Sequence, residues 1–213
     1  MNNMNKRVLA VQLPAPCPLA CGFCRTPQHD EGDPEAVYDA VIRDLPGHQE
    51  LYLTSNGETG LSTVFRRIVQ FATGLGVKIS VLCATERSIV PGLCRVEVSL
   101  NEFTRPLALR AIEKAKAHGV PVVVSIVNDC DELSPTDLKK LADEHGAAGV
   151  IARGRQKEGR SATQAGKTLV YQRPGIDIGS FPISAYSELA GFGAPVSCID
   201  HFGRSVALLG SPA

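Results

Sequence analysis

Short runs of β-branched residues alternate along this chain with longer segments whose apolar residues follow the helical period. This alternation constrains the fold more than any other feature, because it is typical of parallel sheets with helical crossovers. The predicted strands are residues 7–13, 50–54, 77–83, 95–100, 121–127 and 149–153. The predicted helices are residues 34–45, 61–75, 104–118 and 135–145. Six strands are too few to close an eight-stranded barrel. The pattern therefore predicts an α/β fold, either a doubly wound sheet or, as we expect, a partial (β/α)6-type parallel barrel.

The regular alternation ends near residue 154, and the remainder of the chain is rich in glycine, serine and proline. Two short strand-like pieces follow at residues 196–200 and 205–209, with a turn between them. We expect a single domain over residues 1–213, with its core at 7–153 and a C-terminal extension, 154–213, that covers the sheet. In parallel α/β sheets the chemistry lies at the carboxyl ends of the strands, so that edge should carry the site.

The chain has 22 basic and 22 acidic residues, so its formal net charge is zero. No overall field therefore favours nucleic acid or an anionic membrane surface. No apolar run approaches the roughly 20 residues that span a bilayer, and the polar start of the sequence does not resemble a signal peptide. We expect a cytoplasmic protein without membrane or nucleic-acid partners.

Three of the seven cysteines lie within eight residues, in Cys17-Pro-Leu-Ala-Cys21-Gly-Phe-Cys24, directly after the first predicted strand. In a cytosolic chain such clustering favours metal ligation over disulfide bonds. Three thiolates can hold a four-iron four-sulfur (4Fe–4S) cluster and leave its fourth iron open to a cofactor or substrate. A structural zinc site is the alternative, and it needs a fourth ligand, for which His29 is the only nearby candidate in the sequence.

This segment resembles the signature of the radical S-adenosylmethionine (SAM) superfamily, Cys-x-x-x-Cys-x-aromatic-Cys after the first strand, with Phe23 at the aromatic position. After the second strand, Asn56-Gly57-Glu58 resembles the family's Gly-Gly-Glu motif, which binds the methionyl amino group, although Asn56 replaces the first glycine. The resemblance spans residues 8–153. It implies one 4Fe–4S cluster on the three clustered cysteines, with SAM as the cofactor.

Further contacts to SAM are implied at the ends of the later strands. Glu97, Ser99 and Asn101 alternate along the fourth strand and share one face, which should line the barrel interior. The resemblance implies ribose contacts on this face and weaker matches at the fifth and sixth strands. The implied cofactor-binding residues are Phe23, Asn56, Gly57, Glu58, Ser99, Asn101, Ser125, Asn128 and Arg153.

The resemblance also implies the reaction. SAM chelates the open iron, the reduced cluster passes one electron to the sulfonium, and the resulting 5′-deoxyadenosyl radical abstracts a hydrogen atom from the substrate. The leading hypothesis is biosynthetic tailoring of a small polar or anionic substrate, with flavodoxin or ferredoxin as the reductant. The short chain and Cys24-Arg-Thr-Pro-Gln28 resemble 7-carboxy-7-deazaguanine synthases and glycyl-radical activases. The alternatives are an activase or peptide-modifying enzyme that acts on a partner protein or peptide, and a non-catalytic iron–sulfur protein.

Two further sets of candidate residues follow from their positions. Arg155 and Arg160 lie in a basic stretch after the sixth strand. Their guanidinium groups would bind a carboxylate or phosphate of the substrate, and a solvated loop is the alternative. A cysteine thiol near the carboxyl edge could donate a hydrogen atom to a substrate radical. The catalytic candidates are Cys130, Cys83 and Cys198, each of which could also be an ordinary buried cysteine.

Overall fold

The computed structural model describes residues 7–19, 32–128, 133–154, 168–176 and 196–207. The strands in these ranges are β1 Val8–Leu13, β2 Glu50–Ser55, β3 Lys78–Cys83, β4 Leu93–Ser99, β5 Val122–Asn128, β6 Gly149–Gly154, β7 Thr168–Gln172, β8 Val196–Ile199 and β9 Ser205–Ala207. The helices are α1 Pro34–Asp44, α2 Phe65–Gly74, α3 Arg105–Ala117 and α4 Pro135–Glu144. Short 3₁₀ turns follow β2 at Thr59–Leu61 and β3 at Glu86–Ser88. None of the described helices is long and apolar enough to cross a bilayer.

The strands form one sheet in the order β7-β6-β5-β4-β3-β2-β1-β8-β9. Strands β1 to β6 are parallel and follow one another in chain order, as expected when each strand–helix unit is laid beside the last. A helix connects each successive pair except β3 and β4, which are joined through the 3₁₀ turn. The predicted α/β class and the partial parallel barrel are confirmed. Each of the six predicted strands begins and ends within two residues of its expected bounds.

Local side chains and prolines set the starts of two helices. Asp33 caps α1 by accepting a hydrogen bond from Ala36 N at 3.0 Å. Ser134 and Asp137 form a reciprocal capping box at the start of α4. A proline occupies the first turn of both helices, where its missing N–H costs no hydrogen bond. Because these signals lie within a few residues of each helix, the starts were predictable from the sequence.

The two faces of the sheet differ in chemistry. Alternate strand residues pack against the helices in the main apolar core, among them Leu9, Val11, Leu51, Leu53, Ile79, Val81, Val96 and Val98. The residues between them point to the opposite, inner face. Buried polar side chains on that face include Tyr52, Ser80, Arg95, Glu97 and Ser125. The alternation predicted for β4 is therefore observed, with Val96 and Val98 in the core and Glu97 on the inner face.

The C-terminal part of the chain lengthens the sheet at both edges. Strand β7 pairs antiparallel with β6, β8 pairs parallel with β1, and β9 pairs antiparallel with β8. In these strands the extension joins the sheet edge to edge. The rest of the predicted cover, residues 155–167, 177–195 and 208–213, lies outside the described residues and stays a prediction.

Candidate functional site

The cysteine segment begins at the carboxyl edge of the sheet. Cys17 follows the last residue of β1 by four positions and is half-buried. Cys21, Phe23 and Cys24 lie outside the described residues. The structure does describe both ends of the segment, at residues 14–19 and from residue 32 onward. We call residues 15–31 the cysteine loop.

The entry of the cysteine loop packs against the residues that follow β2. Asn56 Oδ1 accepts a hydrogen bond from Ala15 N at 2.9 Å, and Glu58 N donates to Pro16 O at 3.0 Å. A Cβ atom on Gly57 would lie 2.0 Å from Ala15 O, so this close approach of two backbones requires glycine. The motif predicted after β2 therefore contacts the chain that leads directly into Cys17.

Glu58 is buried, and the connection between β3 and β4 holds its carboxylate. Oε1 accepts hydrogen bonds from Thr85 Oγ1 at 3.0 Å and from Ser88 Oγ at 2.7 Å, and Oε2 accepts one from Ala84 N at 2.9 Å. Burial raises the pKa of Glu58 above its usual value, and the hydrogen bonds oppose that shift. The backbone N–H of Thr85 is a further hydrogen-bond donor to this carboxylate.

The exit of the cysteine loop returns to its entry. Gly32 has a φ of +140°, and a Cβ atom there would lie 2.7 Å from Pro14 Cβ and 2.3 Å from His201 O. The next residue, Asp33, donates its N–H to His201 O at 2.9 Å. The chain therefore leaves the sheet edge at Pro14 and comes back into contact with it at Gly32. All three clustered cysteines belong to a loop that is closed at its base.

A second set of predicted residues lies at the end of β4 and beside it on β5. Ser99 and Ser125 are register partners in these strands, and Ser99 is half-buried. Asn101 Oδ1 accepts hydrogen bonds from Phe103 N at 2.9 Å and from Thr104 N at 3.1 Å. The Asn101 side chain therefore stabilises the turn before α3, and its amide nitrogen lies 3.4 Å from Ser99 Oγ.

The remaining predicted residues belong to β5, β6 and the segments that follow them. Asn128 is the last residue of β5, and Arg153 in β6 is the register partner of Val127. Of these remaining residues, Cys130, Arg155 and Arg160 lie outside the described ranges. The structure thus brings the described cofactor candidates to one edge of the sheet. Strand β3 separates the group at β1 and β2 from the group at β4 and β5.

Cys83 and Cys198 face opposite sides of the sheet. Cys83 ends β3, belongs to the apolar core and pairs in register with Val98, which points toward the helices. Cys198 pairs in register with Ala10, whose neighbours in β1 point toward the helices, so Cys198 faces the inner side. Burial raises the pKa of the Cys198 thiol to about 11 and the pKa of Cys83 well above its usual value. Both side chains are therefore protonated thiols at neutral pH.

The turn between β8 and β9 is a part of the site that sequence reasoning missed. His201 follows β8, which lies beside β1, so it occupies the edge from which the cysteine loop departs. His201 Nδ1 lies 3.1 Å from Gln12 Oε1, a contact between residues 189 positions apart. The sequence predicted the strand and the turn, but nothing local indicated that this strand pairs with β1.

The cysteine loop has a donor set that suits an iron–sulfur cluster. Three thiolates are a usual protein ligand set for a cubane cluster with one open iron. Within the described ranges, no group of three or more His, Cys, Asp or Glu side chains could hold a metal ion.

No protein-family model matches the chain, and no curated protein matches it. The fold is similar to that of SuiB from Streptococcus suis. The crystal structure of SuiB bound to precursor peptide SuiA has a TM-score of 0.52 and 15% identity, covering 72% of this chain and 40% of that chain. A second SuiB structure has a TM-score of 0.53 and 15% identity, covering 77% of this chain and 43% of that chain. A third SuiB structure, bound to S-adenosylmethionine, has a TM-score of 0.49 and 14% identity, covering 70% of this chain and 39% of that chain.

This chain spans less than half the length of the SuiB chains it matches. At such low identity the first two structures show a shared fold and nothing of the chemistry. Fold and site together define an α/β partial barrel with a three-cysteine loop closed at the carboxyl edge of its sheet.

Proposed function

We propose that this protein is a radical SAM enzyme that holds one 4Fe–4S cluster on the three thiolates of the cysteine loop. The observation that carries the proposal is the base of that loop. Pro14 and Gly32 meet at the carboxyl edge, and Gly57 packs against the loop entry at the same edge. Cofactors of parallel α/β folds bind over the carboxyl ends of the strands. A loop closed at this edge would hold its thiolates beside such a cofactor.

When bound, the cluster and SAM would supply reductive cleavage of the sulfonium, and the 5′-deoxyadenosyl radical so formed would take a hydrogen atom from the substrate. The chain supplies positioning. Glu58 orders the connection between β3 and β4, and we assign the methionyl ammonium to its carboxylate, as a charge-assisted hydrogen bond. Ser99 and Ser125 place hydroxyl groups side by side on the inner face, where they suit a ribose.

A small polar or anionic substrate is the first candidate. The support is the polarity of the inner face, where Tyr52 Oη donates a hydrogen bond to Glu97 Oε2 at 3.1 Å and Arg95 is buried in the same strand as Glu97. Sites that fix a ligand's orientation place such polar groups within an otherwise apolar wall. We assign the binding of the substrate's anionic group to Arg155 and Arg160. We expect flavodoxin or ferredoxin to supply the electrons.

A peptide or protein substrate is the second candidate, and two observations favour it. SuiB, which shares the fold, is bound to a precursor peptide in one crystal structure. In the present chain Phe103, after β4, and Phe202, after β8, are exposed at the carboxyl edge. Aromatic side chains are frequent anchors of peptide and protein interfaces. A glycyl-radical activase would belong to this candidate.

Anaerobic reconstitution with iron and sulfide tests the cluster. We expect about four irons per chain and visible charge-transfer absorbance, as for a cubane cluster on three cysteines. Replacing Cys17, Cys21 and Cys24 together by alanine should abolish both signals. The matched control is Cys94→Ala, at an exposed position near the start of β4, which should keep both. Tightly bound zinc with no uptake of iron would contradict the proposal and favour a zinc site.

Turnover separates an enzyme from a non-catalytic iron–sulfur protein. The reconstituted protein, supplied with SAM and a chemical reductant, should release 5′-deoxyadenosine. A cluster that forms normally but never yields this product would favour the electron-transfer alternative.

A further inference from the structure

The turn between β8 and β9, which we call the brace (residues 200–204), contacts the start of α1. Within it, His201 O accepts a hydrogen bond from Asp33 N at 2.9 Å. Gly203 has a φ of +78°, and a Cβ atom there would lie 2.5 Å from Ala36 O in the first turn of α1. A Cβ atom on Gly32 would lie 2.3 Å from His201 O. The brace therefore contacts the last residues of the exit from the cysteine loop and the helix that follows.

A buried carboxylate holds the brace in shape. Asp200 Oδ1 accepts hydrogen bonds from Phe202 N at 3.0 Å and from Arg204 N at 2.9 Å. Its Oδ2 accepts one from Arg204 Nε at 2.6 Å. An aspartate that accepts hydrogen bonds from the backbone N–H groups two and four residues on fixes a tight turn. The His201 carbonyl lies inside this turn, so its position is set by the same three hydrogen bonds.

The hairpin also contacts the far end of α1. Arg43 Nη2 donates a hydrogen bond to Ser205 Oγ at 3.1 Å, and that hydroxyl donates to Asp44 Oδ2 at 2.6 Å. Both ends of α1 are thus attached to the β8–β9 hairpin, which in turn pairs with β1. The strand that precedes the cysteine loop and the helix that follows it are held by one C-terminal unit.

We infer that the brace is a positioning element of the cluster site: it fixes the exit of the cysteine loop, as the residues after β2 fix its entry. This inference rests on the proposed function. A three-thiolate site must gather its ligands around one cluster, and a loop open at its base has to be ordered during binding at a cost in conformational entropy. The C-terminal strands would then belong to the cluster site itself, although they contribute no ligand to it.

The test compares alanine substitutions on the two sides of the interface between the brace and the segment that leads into α1. Gly203→Ala and Gly32→Ala each place a Cβ atom against a backbone carbonyl of the partner segment. We expect both variants to lose iron to a chelator about tenfold faster than the wild type, the equivalent of about 1.4 kcal/mol of lost positioning. Far-UV circular dichroism and the urea midpoint are measured on the same samples.

Gly119→Ala is the matched control, because Gly119 has a φ of +67° but a Cβ atom there meets nothing within 4 Å. It imposes the same kind of backbone strain at the end of α3, away from the brace. The inference would be overturned if Gly203→Ala and Gly32→Ala lost iron as slowly as Gly119→Ala. The proposed cluster of the wild type would be unaffected by that result. A wild type that takes up no iron would instead overturn the proposed function, and the inference with it.

Asp200 offers a second pair of variants that does not depend on the glycines. Asp200→Ala removes both carboxylate oxygens that shape the brace, whereas Asp200→Asn keeps an oxygen for the N–H groups of Phe202 and Arg204. Rapid loss of iron in Asp200→Ala and its rescue in Asp200→Asn would support positioning by the brace. Equal retention of iron in both folded variants would contradict it.

Discussion

Burial and hydrogen bonding act in opposite directions on the carboxylate of Glu58. Burial favours its protonated form, and hydrogen bonds from Ala84, Thr85 and Ser88 in the β3–β4 connection favour its charged form. The net result is a raised pKa, so in the folded state the carboxyl group binds its proton more tightly than in the unfolded chain. Its contribution to stability is therefore largest below the ordinary pKa of 4.5 and is lost as the pH rises through the folded-state pKa.

Glu58→Gln tests this balance. The glutamine side chain replaces one carboxylate oxygen by an NH₂ group, which cannot accept a hydrogen bond from the β3–β4 connection. The free energy of unfolding should therefore fall by about 1–3 kcal/mol. Because glutamine does not titrate, the advantage of the wild type over the variant should narrow as the pH rises from 4.5 toward 7. Urea unfolding of both proteins across this range measures the difference. An advantage that widens with pH would show that the charged form is the one that the site stabilises. Affinity for SAM, measured by calorimetry at fixed cluster content, should also fall if the Glu58 carboxylate binds the methionyl ammonium.

Among the described hydrogen-donor candidates, orientation favours Cys198 over Cys83. Cys198 is a protonated thiol on the inner face, whereas Cys83 points into the helix-side core. If a thiol quenches the substrate radical, product formed in deuterium oxide should carry solvent deuterium. That label should be lost in Cys198→Ala and kept in Cys83→Ala, with 5′-deoxyadenosine formed by both. Loss of the label in Cys130→Ala alone would transfer the role to the residue outside the described ranges.

At the scale of elements, backbone contacts decide how the cysteine loop is held. The loop entry lies against the residues after β2 at a distance that excludes any side chain at position 57, and the loop exit lies against the brace. Position 57 requires glycine because no side chain fits between the two backbones, and its φ does not impose this requirement. The constraint on this glycine therefore comes from a tertiary contact.

Gly57→Ala and Gly74→Ala should consequently have opposite effects. At Gly57 the new Cβ atom would collide with Ala15 O, and overpacking of this kind costs about 1–3 kcal/mol. At Gly74, the last residue of α2, a Cβ atom meets nothing within 4 Å, and alanine in a helix should add about 0.5–1 kcal/mol. Urea unfolding measures both changes. Iron content after reconstitution should fall in the first variant only, and equal iron in the two would show that the loop entry tolerates displacement.

At the scale of the whole molecule, one sheet joins the segments that carry the site. Strands β1 to β4 have a neighbour on each side, whereas β7 and β9 each pair with a single strand in the described sheet. Strand β8 lies between β1 and β9, and it connects the brace to the start of the cysteine loop. We therefore expect the proposed cluster site to depend on the attachment of β8.

Hydrogen exchange followed by mass spectrometry tests that attachment. Peptides from β1 to β4 should exchange slowest, because both rows of their backbone groups are hydrogen-bonded and buried. Residues 196–199 should exchange more slowly than 205–207, since β8 is flanked on both sides and β9 on one. Exchange of 196–199 as fast as in an unfolded peptide would contradict the placement of the C-terminal strands in this sheet.

The sequence by itself determined the strand–helix order, the helix starts at Asp33 and Ser134, and the clustering of three cysteines after β1. These features depend on neighbours within a few residues, which the hydrophobic period and the capping residues report directly. The inward direction of Glu97 was predicted from strand alternation. The helix-side direction of Cys83 follows from the same alternation and could have been predicted in the same way. Only the tertiary structure decided that Gly32 closes on Pro14, that β8 lies beside β1 and that the Glu58 carboxylate is held by residues 84–88. Such pairings between distant segments result from many weak contacts made at once across the whole fold, and no local pattern in the chain records them.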